Sequence, residues 1–165
     1  MNEQSEYSKK ELKDGQFPHQ LFLFNMIGNH VLLALIAVSN SSHLEVTAIP
    51  VCISLMILTY TLIRAPAQLR SESPFVRSHW QVALKRTKIF LMMYGVLFTI
   101  GVAAWLSYNY AGVMKEQAMA LAGGLGILPT MVMVLVLTIL ETETLHQAMN
   151  ERLPKTLAER LGGEH

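Results

Sequence analysis

Residues 89–108 read IFLMMYGVLFTIGVAAWLSY, with no Asp, Glu, Lys or Arg anywhere in the run. A hydrocarbon core about 30 Å thick is crossed by about 20 mostly apolar residues in a helix. Backbone groups in lipid are satisfied only inside helices or closed barrels. The run has no alternation of period two, so it predicts a membrane-spanning helix. That reading sets the class: an all-α integral membrane protein.

Outward from this run, the pattern repeats. Residues 117–140, 47–63 and 20–38 are also free of Asp, Glu, Lys and Arg. The expectation is a four-helix transmembrane domain over residues 20–140, between tails at 1–19 and 141–165. Composition agrees with it. Apolar residues make up 52% of the chain and charged residues 15%, against about 25% in a soluble domain. Net charge is +1, which implies no nucleic-acid partner.

The connections set the expected orientation. Residues 64–88 hold Arg64, Arg70, Arg77, Lys85, Arg86 and Lys88 against one acid, Glu72. The third connection holds only Lys115 and Glu116. Short loops rich in Lys and Arg stay in the cytoplasm. The middle loop and both tails, with Lys9, Lys10, Lys13, Arg152, Lys155 and Arg160, are therefore expected inside. Trp105, Tyr108 and Tyr110 mark the outer interface. Residues 39–46 read as a tight turn through Ser39, Asn40, Ser41 and Ser42. The first apolar run is about 18 residues, longer than a signal-peptide core, and Ala37 with Ser39 is a weak cleavage pattern. Residues 1–17 are polar without periodicity and read as a mobile tail. After residue 140 the helix is expected to continue to about Arg152, before Pro154, with Gly162 and Gly163 fraying the end.

Packing in lipid depends on small residues and interhelical hydrogen bonds. Gly95, Thr99 and Ala103 recur at spacing four in the third span. Ala118, Ala122 and Gly126 do so in the fourth. These stripes are expected to form helix contacts, with each other. Pro129 removes a backbone donor and predicts a kink. Asn25 and Asn29 share one face and are expected to point into the bundle. His30 lies at mid-depth and is expected to be buried and hydrogen-bonded. Its alternative role, as a haem ligand or proton carrier, lacks a second histidine at matching depth. Cys52 reads as a small buried hydrophobe. His79 and His146 fall near the cytoplasmic surface, where they could meet, but they make a weak metal signal. The ten methionines, including Met92, Met93, Met131 and Met133, read as packing residues rather than copper ligands.

Ser73-Pro74 is a helix-start signal. Val76, Trp80, Ala83, Leu84 and Thr87 then form one stripe, and Arg77, Gln81, Lys85 and Lys88 another. This predicts an amphipathic helix leading into the third span, with Trp80 at the membrane interface. Its basic face would attract anionic headgroups at about 1 kcal/mol per charge. Ser73-Pro74-Phe75-Val76, then His79, then Ala83-Leu84, resembles a motif in a family of small uncharacterised bacterial membrane proteins. That family is similar to a multispanning component of the chloroplast inner-envelope protein import machinery. Where the family continues Ala-Leu-Asn-Phe-Gln, this chain has Ala83-Leu84-Lys85-Arg86-Thr87. The resemblance covers about 25 residues. It implies a multi-pass protein of the bacterial cytoplasmic membrane and no enzyme.

No phosphate-cradling loop, zinc motif or nucleophile–base–carboxylate order is visible, so no catalytic residue, metal site or cofactor is assigned. The expected role is a non-catalytic subunit, assembly factor or scaffold, with the bilayer, anionic headgroups and another membrane protein or a second copy as partners. The alternatives are a small oligomeric transporter or pore, and a haem-linked redox component. Proton-coupled exporters use a membrane-embedded carboxylate. Here Glu141 reads as lying at the edge of the last span.

Overall fold

The computed structural model describes residues 7–33, 35, 39 and 48–154. The expected turn at Asn40, Ser41 and Ser42, the end of the first span at Val38, and Lys155, Arg160, Gly162 and Gly163 lie outside the described residues. Among the described residues every element is helical. Helix α1 is Lys9–Leu23 and continues into a π-helical stretch, Phe24–Leu33. Helix α2 is Ala48–Gln68, and α3 is Pro74–Tyr110. Helix α4, Lys115–Leu121, passes through a second π-helical stretch, Ala122–Ile127, into α5, Leu128–Met149. Among the described residues, three helices are long and apolar enough to cross a membrane: Ile49–Gln68, Pro74–Tyr110 and Lys115–Met149. Two compact units divide the chain, residues 1–87 with 138–165, and residues 88–137.

The first unit overturns the mobile-tail expectation from Lys9 onward. Ser8 and Glu11 form a capping box: Ser8 Oγ accepts from the Glu11 N–H at 3.3 Å, and the Glu11 carboxylate accepts from the Ser8 N–H at 2.9 Å. Each bond satisfies a donor that a helix start leaves open. Gly15, Pro18, His19 and Phe22 then line one buried face of α1. Gly15 is required there, because a Cβ would stand 2.8 Å from Phe75 Cδ1 of α3.

Helix α3 starts at Pro74, and the Arg77 N–H donates to the Ser73 carbonyl at 3.1 Å. Its predicted stripe does not rest at a lipid interface. Phe75, Val76, Trp80 and Ala83 are buried, and the first three pack with Ala65 of α2 and Ala148 of α5, with Tyr7, Leu12 and Leu69 around them. Trp80 is only 2% exposed, and its indole N–H donates to the Asp14 carbonyl of α1 at 2.9 Å. A buried indole needs such an acceptor, and α1 supplies it. The interfacial placement of Trp80 is thus corrected. Arg77, Gln81, Lys85 and Lys88 form the exposed opposite face. Cys52 is also corrected: it is exposed on α2, two residues before Ser54 and off the buried stripe of Ser54, Leu58, Thr61 and Ala65.

In the second unit, α3 ends at a turn where Gly112 takes φ +69°. The Val113 N–H reaches back to the Ser107 carbonyl at 3.3 Å, a closure that needs the left-handed backbone glycine adopts freely. Along the returning segment Ala118 and Gly126 are buried. The π-helical stretch prepares the chain for Pro129. The Leu128 N–H bonds the Gly123 carbonyl five residues back, and the helix resumes past the proline through Met149.

Candidate functional site: a buried histidine–carboxylate–arginine cluster

Three helices of the first unit each place an ionisable side chain on their buried stripe. Helix α1 brings His19, α3 brings His79 and Arg86, and α5 brings Glu141. His19, His79 and Glu141 are 0% exposed, and Arg86 is 9% exposed. Helical spacing explains each position. His19 follows Gly15 by four residues and precedes Phe22 by three. Glu141 shares a stripe with Leu137, Thr144 and Ala148, all buried.

The contacts form a chain. His79 Nε2 lies 3.1 Å from the Arg152 carbonyl oxygen. His79 Nδ1 lies 3.0 Å from His19 Nε2, and His19 Nδ1 lies 2.5 Å from Glu141 Oε2. On the far side, Arg86 Nη1 stands 3.1 Å from Glu141 Oε1. That pair lacks hydrogen-bond alignment, so the attraction is Coulombic. Arg86 Nη2 donates to Thr144 Oγ1 at 2.9 Å, and Thr144 donates to the Leu140 carbonyl.

The proton positions follow from the chemistry of the end groups. A carbonyl oxygen only accepts, so His79 Nε2 carries a hydrogen. In the neutral ring Nδ1 then accepts, so His19 Nε2 must donate to it. One proton is left between His19 Nδ1 and Glu141 Oε2, as imidazolium with carboxylate or as imidazole with carboxylic acid. His79 precedes the apolar run of α3. Burial, then the charge of neighbouring His19, pushes its imidazole down to about 4, against a smaller opposing effect of the Arg152 carbonyl. His79 is accordingly the neutral end of the chain at neutral pH.

Buried charges are costly unless paired and bonded, and removing one partner of such a group costs about 3–5 kcal/mol. The cluster therefore couples α1, α3 and α5 tightly. Both nitrogens of each ring are engaged, and among the described residues no three His, Cys, Asp or Glu side chains are grouped to hold a metal ion.

The other sequence-predicted residues are distributed as follows. Asn25 and Asn29 are 0% and 2% exposed. The Asn25 amide donates to Ser54 Oγ of α2 at 2.9 Å, and the Asn29 amide donates to Asn25 Oδ1 at 3.0 Å and the Pro50 carbonyl at 2.7 Å. His30 is half-buried, with Nδ1 donating to the Asn25 carbonyl at 2.8 Å. His79 does not meet His146, which is exposed and bonded to Asn150. The two small-residue stripes are not apposed. A Cβ at Gly126 would stand 3.0 Å from Leu97 and 3.5 Å from Ile100. Gly95, Thr99 and Ala103 are exposed, and a Cβ at Gly95 meets nothing within 4 Å. In the segment from Pro74 to Leu84, Phe75, His79 and Ala83 are buried, Leu84 is half-buried and Pro74 is exposed. The segment therefore follows the face that α1 and α2 cover.

Sequence reasoning missed His19, Arg86 and Glu141 as a group. The signal was present. Each is an ionisable residue lying on the apolar or small-residue stripe of its own helix. No protein-family profile, curated protein or solved structure matches the chain.

Proposed function

We propose that this chain is a non-catalytic subunit, assembly factor or scaffold of a complex in the bacterial cytoplasmic membrane, crossing it four times with both termini inside. The observation that carries this reading is the asymmetry of the two small-residue stripes. Ala118 and Gly126 are covered within the chain, whereas Gly95, Thr99 and Ala103 lie open. An open small-residue edge on a long apolar helix permits close approach by another helix. The Thr99 hydroxyl is already satisfied by the Gly95 carbonyl at 2.8 Å, so the edge presents little unmet polarity to lipid.

The fourth crossing is supported by the charge-free run at 20–38, whose first part is the end of α1 and the π-helical stretch. The inside orientation is supported by Arg64, Arg70, Arg77, Lys85 and Lys88. Their exposure also favours contact with anionic headgroups. The bacterial assignment rests on the resemblance at Pro74, Phe75, His79, Ala83 and Leu84.

The test is affinity purification of a C-terminally tagged copy at native expression in mild detergent, followed by mass spectrometry. A stoichiometric membrane protein that is lost in Gly95→Ile supports the reading. Recovery of this chain alone as a monomer overturns it.

A second reading, a small oligomeric transporter or pore, is favoured by one observation. Glu141 is fully buried and shares a proton with His19, and proton-coupled exchange requires a carboxylate that takes up and releases protons. Solute flux in liposomes driven by a pH gradient, and abolished by Glu141→Gln, would support it.

A further inference from the structure

We propose that the His79–His19–Glu141 chain is an acid-released clasp: a proton added at His79 Nδ1 breaks the bond to His19 and lets α1 leave α3. The order of donors and acceptors carries the argument. The Arg152 carbonyl holds a hydrogen on His79 Nε2, so Nδ1 is the ring's only acceptor. His19 Nε2 donates to it at 3.0 Å. A proton on Nδ1 sets N–H against N–H at that distance and puts a positive ring beside the proton-bearing His19–Glu141 pair.

Among the described residues, the new charge faces no unengaged carboxylate. From α1 it faces His19, and from its own helix Arg86 lies beyond. From α5 the carboxylate of Glu141 stands on the far side of His19, already facing Arg86 at 3.1 Å. The turn after α5 contributes a backbone carbonyl. Helix α2 contributes Ala65, and the turn after it Leu69, to the neighbouring core, and both are apolar. The Phe75 ring, with its centroid 4.5 Å from that of His79, offers a quadrupole rather than a countercharge. Helix α1 then keeps the His19–Glu141 contact to α5 and the Phe17–Tyr60 ring contact to α2. Towards α3 it keeps the Trp80 bond to the Asp14 carbonyl and the packing of Leu12 and Gly15.

The structure supplies its own reporter. Trp80 is buried and bonded to α1, and the chain has two tryptophans. In Trp105→Phe protein held in nanodiscs, Trp80 is the sole indole. Acidification from about pH 7.5 to about pH 4 should shift its emission to the red, with a midpoint below the ordinary histidine value of about 6.5. His79→Gln retains an amide donor for the Arg152 carbonyl and an oxygen acceptor for His19 but does not titrate, so the shift should vanish. An emission that stays blue throughout, or an equal shift in His79→Gln, overturns the clasp. Should His79→Gln not fold, hydrogen exchange on the unmutated chain decides. Protection of α1 should fall on acidification, relative to α2, after correction for the intrinsic exchange rate. Equal changes in both helices overturn the proposal.

Discussion

Glu141 is the residue on which three helices depend, and its removal should be expensive. Glu141→Ala strands the Arg86 guanidinium and the His19 ring in a buried site, a loss of about 3–5 kcal/mol by the measure of broken buried pairs. Thermal unfolding of purified protein in detergent should show it as a large drop in midpoint. Gly15→Ala tests a different contact. Alanine gains about 1 kcal/mol in a helix interior over glycine, but overpacking a tight core costs about 1–3 kcal/mol. With a Cβ 2.8 Å from a buried phenyl carbon, the net should be destabilising, and a midpoint that rises would show Phe75 free to move. At this scale the sequence was only partly legible. Asn25 and Asn29 share a helix face in any reading, and Ser54 and the Pro50 carbonyl meet them. Glu141 was less legible, because at the end of an apolar run it reads as the first residue of a polar tail. Only its spacing to Leu137, Thr144 and Ala148 marks it as buried, and only a tertiary contact names its partner.

Elements were easier to read than partners. The charge-free runs at 89–108 and 117–140, and residues 49–63 of the run at 47–63, lie within the three long apolar helices, because the absence of charge over a membrane's width is a one-dimensional signal. Helix α1 lacked that signal. Its first turns are charged, and its place is fixed by Gly15, His19 and the Trp80 bond to the Asp14 carbonyl. The two π-helical stretches also escape a 3.6-residue template, since they shift the register by one residue. Small-residue stripes predict that something approaches closely, without saying what. Gly126→Ile should disrupt the packing between the returning segment and Leu97 and Ile100, and lower the unfolding midpoint. Gly95→Ile should leave that midpoint unchanged, as a Cβ there meets nothing within 4 Å, while displacing the proposed partner helix. Differential scanning fluorimetry of the two variants side by side separates the faces.

For the whole molecule, His79 ties stability to pH. Its pKa in the folded protein is held to about 4, below the ordinary histidine value of about 6.5, so the unfolded chain takes up the proton first. The stabilisation is complete above about pH 6.5 and is lost as pH falls through that window towards 4. A shift of this size corresponds to about 3 kcal/mol. Denaturation of the full chain at a series of pH values should show a plateau and then a decline, and His79→Gln should flatten the decline.

The distance along the chain between the clasp residues has a consequence for biogenesis. His19 and Glu141 are 122 positions apart, and Gln16 and Ala148 are 132 apart. The ribosome releases α1 long before its anchor exists. During synthesis His19 and Arg86 wait without their carboxylate, and Phe75 and Trp80 wait for α5 to complete their cover. The last helix therefore serves as a completion signal. A nascent chain arrested before residue 141 should keep α1 open to protease and to quality control, and only the finished chain should be spared.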